Sequence, residues 1–177
     1  MTALPIFVTL TVDRKAQDIF QRWRDRYYPQ ARTPAHITLF RHLPGKDPDA
    51  TRDTITRICA DTAPFEIRVT APTSLANGVA LALTSPELIT FRQRIAEAFG
   101  EELKGSDRKP FQPHMTIQNR VTRRRAKRTL GVVRARFEPF TARAEGVELW
   151  AYQSGRWLPL GGCPLGTPTA QHIAVEA

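Results

Sequence analysis

Two histidines, His36 and His114, are each followed two residues later by a threonine, Thr38 and Thr116, within stretches of largely apolar residues. Side chains alternate across a β-strand. On such strands His36 and Thr38 share one face while Ile37 and Leu39 take the other, and His114, Thr116 and Gln118 oppose Met115 and Ile117. Two imidazoles and two hydroxyls converging on one spot suit a tetrahedral phosphoryl group. In-line attack on a phosphodiester needs a base on the incoming water and an acid on the leaving oxygen. Histidine, with an ordinary pKa of about 6.5, serves either role near neutrality, each worth about 10²–10⁴ in rate. Thr38 and Thr116 would hold the non-bridging oxygens. This chemistry needs no cofactor, and no carboxylate-rich cluster is present to hold a metal, so a metal-independent reaction is expected.

One His-x-Thr triplet in a strand is commonplace. Two acquire force from the elements around them. Residues 6–12 read as a strand, Asp13 caps a helix with apolar residues at 16, 19, 20, 23 and 27, and a strand over 35–43 carries the first triplet. The order recurs: a strand over 78–84, a helix opened by Ser85-Pro86 with Leu88, Phe91, Ile95 and Phe99 on one face, then a strand over 112–119 with the second triplet. A proline closely precedes each triplet, and the histidines lie 78 residues apart, a spacing suited to two lobes of one domain. Facing half-domains make a cleft across which equivalent residues meet. Between the units, Asp47-Pro48 opens a helix to about Asp61 and a strand covers 65–70, with a turn region from Pro72 to Gly78. A basic helix from Thr122, strands near 137–143 and 146–153, and a hairpin of 147–152 with 156–160 complete the chain.

Other residues are candidates for substrate contact. His42, six residues after His36, falls on the same face farther along, beside Arg41. Arg120 leaves the His114 strand near the expected phosphate position. From Arg120 to Arg136 eight arginines and lysines occur with no acid, either a flank that guides an RNA backbone or a solvated helix face. Tyr27, Tyr28, Phe40 and Trp150 are of the right type to stack a base. His172 lies in the tail and is not expected to take part.

The 177 residues fit one domain over 1–165, with a poorly ordered tail over 166–177. Lys and Arg total 26 against 17 acids, a net charge of +9, which favours a polyanionic partner. Only two cysteines occur, Cys59 and Cys163, without metal-binding spacing, so a reducing, cytoplasmic setting is expected. No apolar run approaches the roughly 20 residues needed to span a bilayer, and the first residues do not read as a signal peptide. A monomer is expected.

The segments His36-Ile37-Thr38-Leu39 and His114-Met115-Thr116-Ile117 resemble the paired motifs of the two-histidine (2H) phosphoesterase superfamily. The closest branch is that of bacterial 2′-5′ RNA ligase-like proteins, also described as RNA 2′,3′-cyclic phosphodiesterases. Val147–Tyr152 with Trp157–Leu160 resembles that family's closing hairpin. The resemblance implies an α+β, bilobal fold: two pseudo-symmetric β-α-β lobes whose antiparallel sheets line a central cleft. It also implies opening of a 2′,3′-cyclic phosphate on RNA or a nucleotide, to a 2′-phosphate, with reversible 2′-5′ ligation. His36 would be proton donor to the 3′-oxygen and His114 the base on water. The family's arginine after the second motif corresponds to Arg120, displaced by one position because Gln118-Asn119 intervene.

Overall fold

Every α-helix starts on a side chain that satisfies an otherwise free N–H. Asp13 accepts from Ala16 (3.0 Å) to open α1 (Arg14–Tyr27), and Asp47 from Ala50 (3.0 Å) to open α2 (Pro48–Ala60). Ser85 accepts from Leu88 (3.2 Å) at α3 (Pro86–Phe99), and Thr122 from Arg125 (3.3 Å) at α4 (Arg123–Arg134). The apolar periodicity is realised in their buried faces: Ala16 and Phe20 on α1, Ile55 and Cys59 on α2, and Leu88, Phe91, Ile95 and Phe99 on α3. The structure, a computed structural model, describes residues 4–154 and 156–166.

The strands are β1 (Ile6–Val12), β2 (Ile37–Leu43), β3 (Phe65–Leu75), β4 (Gly78–Thr84), β5 (His114–Gln118), β6 (Phe140–Gln153) and β7 (Arg156–Pro164). They form one antiparallel sheet in the order β1-β2-β5-β4-β3-β6-β7, and an added β1–β6 pairing closes six of them into a barrel-like ring. The fold is α+β, with β1-α1-β2 and β4-α3-β5 as matching units, each with its two strands paired antiparallel. The units join at one residue pair, Ile37 opposite Met115. Ile37, Met115, Leu10 and Leu81 all lie buried in the common apolar core.

Three strands run longer than the sequence suggests. The region from Pro72 to Gly78, expected as a turn, belongs mostly to β3, which pairs with β4 down to Leu75 opposite Gly78 and leaves only Ala76-Asn77 as the turn. Pro72 lies past Val69, the last β3 residue paired with β6, at a stretch with a neighbour on one side only, where a missing N–H is tolerated. The two strands expected near 137–143 and 146–153 are one, β6, which changes partners instead of ending. Its residues 140–144 pair with β3 and 144–151 with β1, so Ala144 closes the ring. The β6–β7 hairpin forms as expected and extends to Gly146 opposite Pro164. Of the expected disordered tail, residues 167–177 lie outside the described residues.

Bulges decide which side chains reach the open face. Between β1 and β2 the register slips twice: Thr9 opposes Thr38, Val8 opposes Phe40, and Ile6 opposes Leu43. Leu39 and Phe40 are therefore both buried, at 3% and 0% exposure, while Arg41 and His42 are both exposed. The Asp107 carboxylate, itself buried, accepts the backbone N–H of Arg41 (3.0 Å) and of His42 (2.8 Å). Arg92 of α3 supports the same region: it donates to the backbone carbonyl of Asp107 (2.7 Å) and to that of Leu39 (3.4 Å), with its guanidinium over the rings of Phe40 and Phe111. Replacing Asp107 with alanine strands these N–H groups and is expected to cost about 2–3 kcal/mol of stability in urea unfolding. A loss below about 0.5 kcal/mol would show that the bulge holds without it.

Candidate active site

The pair Ile37–Met115 sets the register of the site. With those residues opposite and both buried, the antiparallel ladder puts His36 across from Thr116 and Thr38 across from His114. All four side chains share the other face, with the histidines on one diagonal and the threonines on the other. The rows extend into β1 and β6. Thr9 is opposite both Thr38 and Glu148, and Thr11 is opposite Gly146. The open face thus carries a row of Glu148, Thr9, Thr38 and His114 alongside a row of Gly146, Thr11, His36 and Thr116. On the other side β4 offers Ala80 opposite Thr116 and Ala82 opposite His114.

Both imidazoles are held the same way. Nδ1–H of His36 donates to the Pro34 carbonyl (2.7 Å), and Nδ1–H of His114 donates to the Gln112 carbonyl (2.8 Å). The acceptor is two residues back in each case, and a carbonyl accepts only, so it fixes the proton on Nδ1 and leaves Nε2 as the ring nitrogen available to a ligand. This carbonyl, more than the prolines, is what the two copies share: Pro34 lies two residues before His36, but Pro113 lies one before His114. Burial pulls His36 down to a pKa of about 4; the Pro34 carbonyl opposes that shift, and the positive charges of Arg24 and Arg41 and the nearby His114 add to it. His36 is therefore neutral in the free protein at neutral pH.

Arg24 is a residue that sequence pattern alone did not single out. Its position on the buried face of α1 is one a hydrophobic periodicity assigns to an apolar residue, and it is 5% exposed. One guanidinium nitrogen donates to the Thr116 carbonyl (2.8 Å), and another to the Thr33 hydroxyl (3.1 Å), beside the Pro34 that holds His36. A helix of the first unit thereby grips the histidine strand of the second.

The remaining candidates are distributed unevenly. Arg41 and His42 lie on the open face at the far end of β2; Arg41 acts on His36 through charge, and the His42 ring stands 6.2 Å from that of Phe7. Gln118, expected beside Thr116, is instead buried: a register slip at Ile117 turns it under α4, where its amide donates to Thr129 (3.0 Å). Arg120 is exposed in a left-handed backbone conformation (φ 57°) at the exit of β5. The basic residues of α4 are likewise exposed, while Ala126, Thr129 and Val133 face inward.

Of the aromatic residues, Phe40 is in the core and Tyr27 stacks on Trp23. Tyr28 lies beside Arg24. Trp150 does reach the open face, and the structure adds Trp157 from β7, whose ring centroid is 5.0 Å from that of His36. With Thr9, Thr11, Glu148 and others these two indoles line a groove of about 680 Å³ that begins at His36.

A sequence profile of the 2′-5′ RNA ligase superfamily matches residues 11–156. The chain belongs to that superfamily. Among solved structures, superfamily-like folds recur over nearly the whole chain. LigT of E. coli complexed with 3′-AMP aligns with a TM-score of 0.65 at 17% identity, covering 94% of this chain and 100% of that one. TT0787 of Thermus thermophilus aligns with a TM-score of 0.64 at 17% identity, covering 92% and 98%. LigT complexed with NADP+ gives a TM-score of 0.61 at 17% identity, with 94% and 100% covered. No curated protein sequence matches the chain. Among the described residues, no helix is long and apolar enough to cross a membrane.

The surroundings of His36 give its titration a sign. The folded value of His36, about 4, lies below the unfolded value of about 6.5. Its contribution to stability is therefore complete above the unfolded value and is lost as pH falls through the folded one. NMR titration of the imidazole in the free protein is expected to give a midpoint near 4, moving upward when inorganic phosphate is added. A free-state midpoint at or above the ordinary histidine value would contradict the burial described.

Proposed function

We propose that the chain is a metal-independent phosphodiesterase that opens 2′,3′-cyclic phosphate ends of RNA or nucleotides, with His36 and His114 as its acid–base pair. One observation carries this reading: two imidazoles, each locked through Nδ1 to a carbonyl, sit diagonally across one strand seam with a threonine beside each. A phosphoryl group bound over the seam has an Nε2 toward either end of an in-line displacement. Thr38 and Thr116 supply hydroxyls to its non-bridging oxygens. The nucleotides named in the LigT structures, 3′-AMP and NADP+, fit a nucleotide ligand for this fold.

In hydrolysis, water attacks phosphorus and loses a proton to one imidazole. The bond to the ribose 3′-oxygen breaks, and that oxygen takes a proton from the other imidazole, leaving a 2′-phosphate. The same displacement with a ribose 5′-hydroxyl in place of water forms a 2′-5′ link, and its reversal, with the roles of the imidazoles exchanged, re-forms the cyclic phosphate and frees the 5′-hydroxyl. Neutral His36 is ready to accept a proton in the free protein. For it to donate one, as the family resemblance implies, the negative charge of the bound phosphate must first bring that proton on, against Arg24 and Arg41. Arg120 and the exposed basic face of α4 favour RNA over a free mononucleotide as the bound chain, through backbone phosphates.

The test is incubation of the purified protein, with chelator present, with an RNA ending in a 2′,3′-cyclic phosphate, followed by identification of the product end. A 2′-phosphate is expected, and His36→Ala and His114→Ala are each expected to lose about 10²–10⁴ in rate. Turnover that disappears with chelator, or tight RNA binding with no turnover, would overturn the proposal.

A further inference from the structure

The two lobes differ in what they offer beside the histidines. On the second lobe, β4 sets Ala82 beside His114 and a fully buried Ala80 beside Thr116. The first presents Thr9 and Thr11, then the groove of about 680 Å³ with Trp150 and Trp157, within the usual size of a small-ligand site. Trp150 donates its indole N–H to the Thr9 hydroxyl (3.0 Å), which fixes the ring edge and leaves its faces for packing. Trp157 tilts 53° to Trp150 at 5.7 Å and bridges from there to His36. Flat aromatic surface starting at the imidazole is what a nucleoside attached to the reacting phosphate would meet first.

The polar lining narrows the ligand. Glu148, Arg32 and Arg156 all line the groove, and among the described residues none makes a side-chain hydrogen bond or ion pair. Glu148 shares its row with Thr9 and Thr38, two strands from Thr38, or about 10 Å at ordinary strand spacing. That distance leaves room for a ribose between phosphate and carboxylate. A carboxylate accepts two parallel hydrogen bonds. Of the four RNA bases only guanine places a ring N–H and an amino group side by side, and its O6 and N7 are a known match for arginine. Uracil would turn two carbonyls and a single N–H toward the same carboxylate.

We propose that this groove is a nucleobase subsite selective for guanine, with Glu148 as its specificity-determining residue, so that the preferred substrate ends in guanosine 2′,3′-cyclic phosphate. The subsite rests on the phosphodiesterase reading for its catalytic consequence, but not for its binding. Glu148 is solvent-exposed, so its replacement leaves the fold in place.

The experiment has two arms. In the first, kcat/KM is measured for the four nucleoside 2′,3′-cyclic monophosphates. Guanosine is expected to exceed uridine by about ten-fold or more, and Glu148→Gln to bring the ratio to within about three-fold, while Trp157→Leu weakens all four alike. In the second, quenching of tryptophan fluorescence by guanosine 3′-monophosphate and uridine 3′-monophosphate is compared in the wild-type chain and in Glu148→Gln. Guanosine-selective quenching lost in the variant supports the subsite even if no cyclic phosphate is hydrolysed, a result that would overturn the activity alone. Equal quenching by both nucleotides, or a guanosine preference unchanged in Glu148→Gln, would overturn the subsite even with the activity intact.

Discussion

The seam between β2 and β5 carries the whole arrangement. One backbone pair, Ile37 with Met115, is all that the ladder contributes there, yet every relation among the two imidazoles and two hydroxyls follows from its register. A slip by one residue would turn all four side chains into the core and bring Ile37 and Met115 to the surface. So short a ladder does not resist such a slip by itself. The burial of both apolar residues at 1% exposure or less supplies part of the resistance. Two buried arginines supply another: Arg24, from the helix of the first unit, binds the carbonyl of Thr116 on the second, and Arg92, from the helix of the second, binds the carbonyl of Leu39 on the first. The exchange is reciprocal although the two positions are not equivalent along their helices.

Closure of the ring through β6 explains why the two halves resemble each other without being alike. The duplicated units give the paired histidines, each tied to a carbonyl two residues back. The C-terminal part of the strand that completes the ring, paired with β1, and the hairpin attached to it lie on the first lobe's side, and they bring Glu148, Trp150 and Trp157 into the groove that begins at His36. Chemistry at phosphorus calls for near symmetry, because acid and base exchange roles between forward and reverse displacement. Recognition of a nucleoside calls for asymmetry, since the chain leaves the phosphate differently on its two sides. On the proposed function, the fold supplies each from a different part of the sequence.

Much of this is legible in the amino-acid sequence. The helix caps at Asp13, Asp47, Ser85 and Thr122 are local hydrogen-bonding choices, and the paired His-x-Thr triplets declare their own face by alternation. What alternation does not show is where it fails. The slip that buries Phe40 depends on the Asp107 carboxylate, 66 positions or so along the chain from the N–H groups it satisfies, and the slip that buries Gln118 depends on Thr129 of α4. Arg24 is hidden for a related reason: an arginine on an apolar helix face reads as a break in the pattern until the carbonyl it serves is in view. Pro72 reads as a strand breaker but lies where β3 lacks a second neighbour, and the break expected between 143 and 146 is where β6 changes partners, at Ala144. Trp157 carries no positional signal, since its approach to His36 is made by the ring closure.

The central claim is that His36 and His114 act on one phosphoryl group from opposite sides. The crystal structure of the chain with a guanosine 2′,3′-vanadate complex, a trigonal-bipyramidal mimic of the displacement, tests it most directly. The account predicts Nε2 of His36 and Nε2 of His114 each within about 2.6–3.2 Å of a different apical oxygen, with Thr38 and Thr116 on the equatorial ones. Vanadate held by one histidine alone, or bound away from the Ile37–Met115 seam, would contradict it.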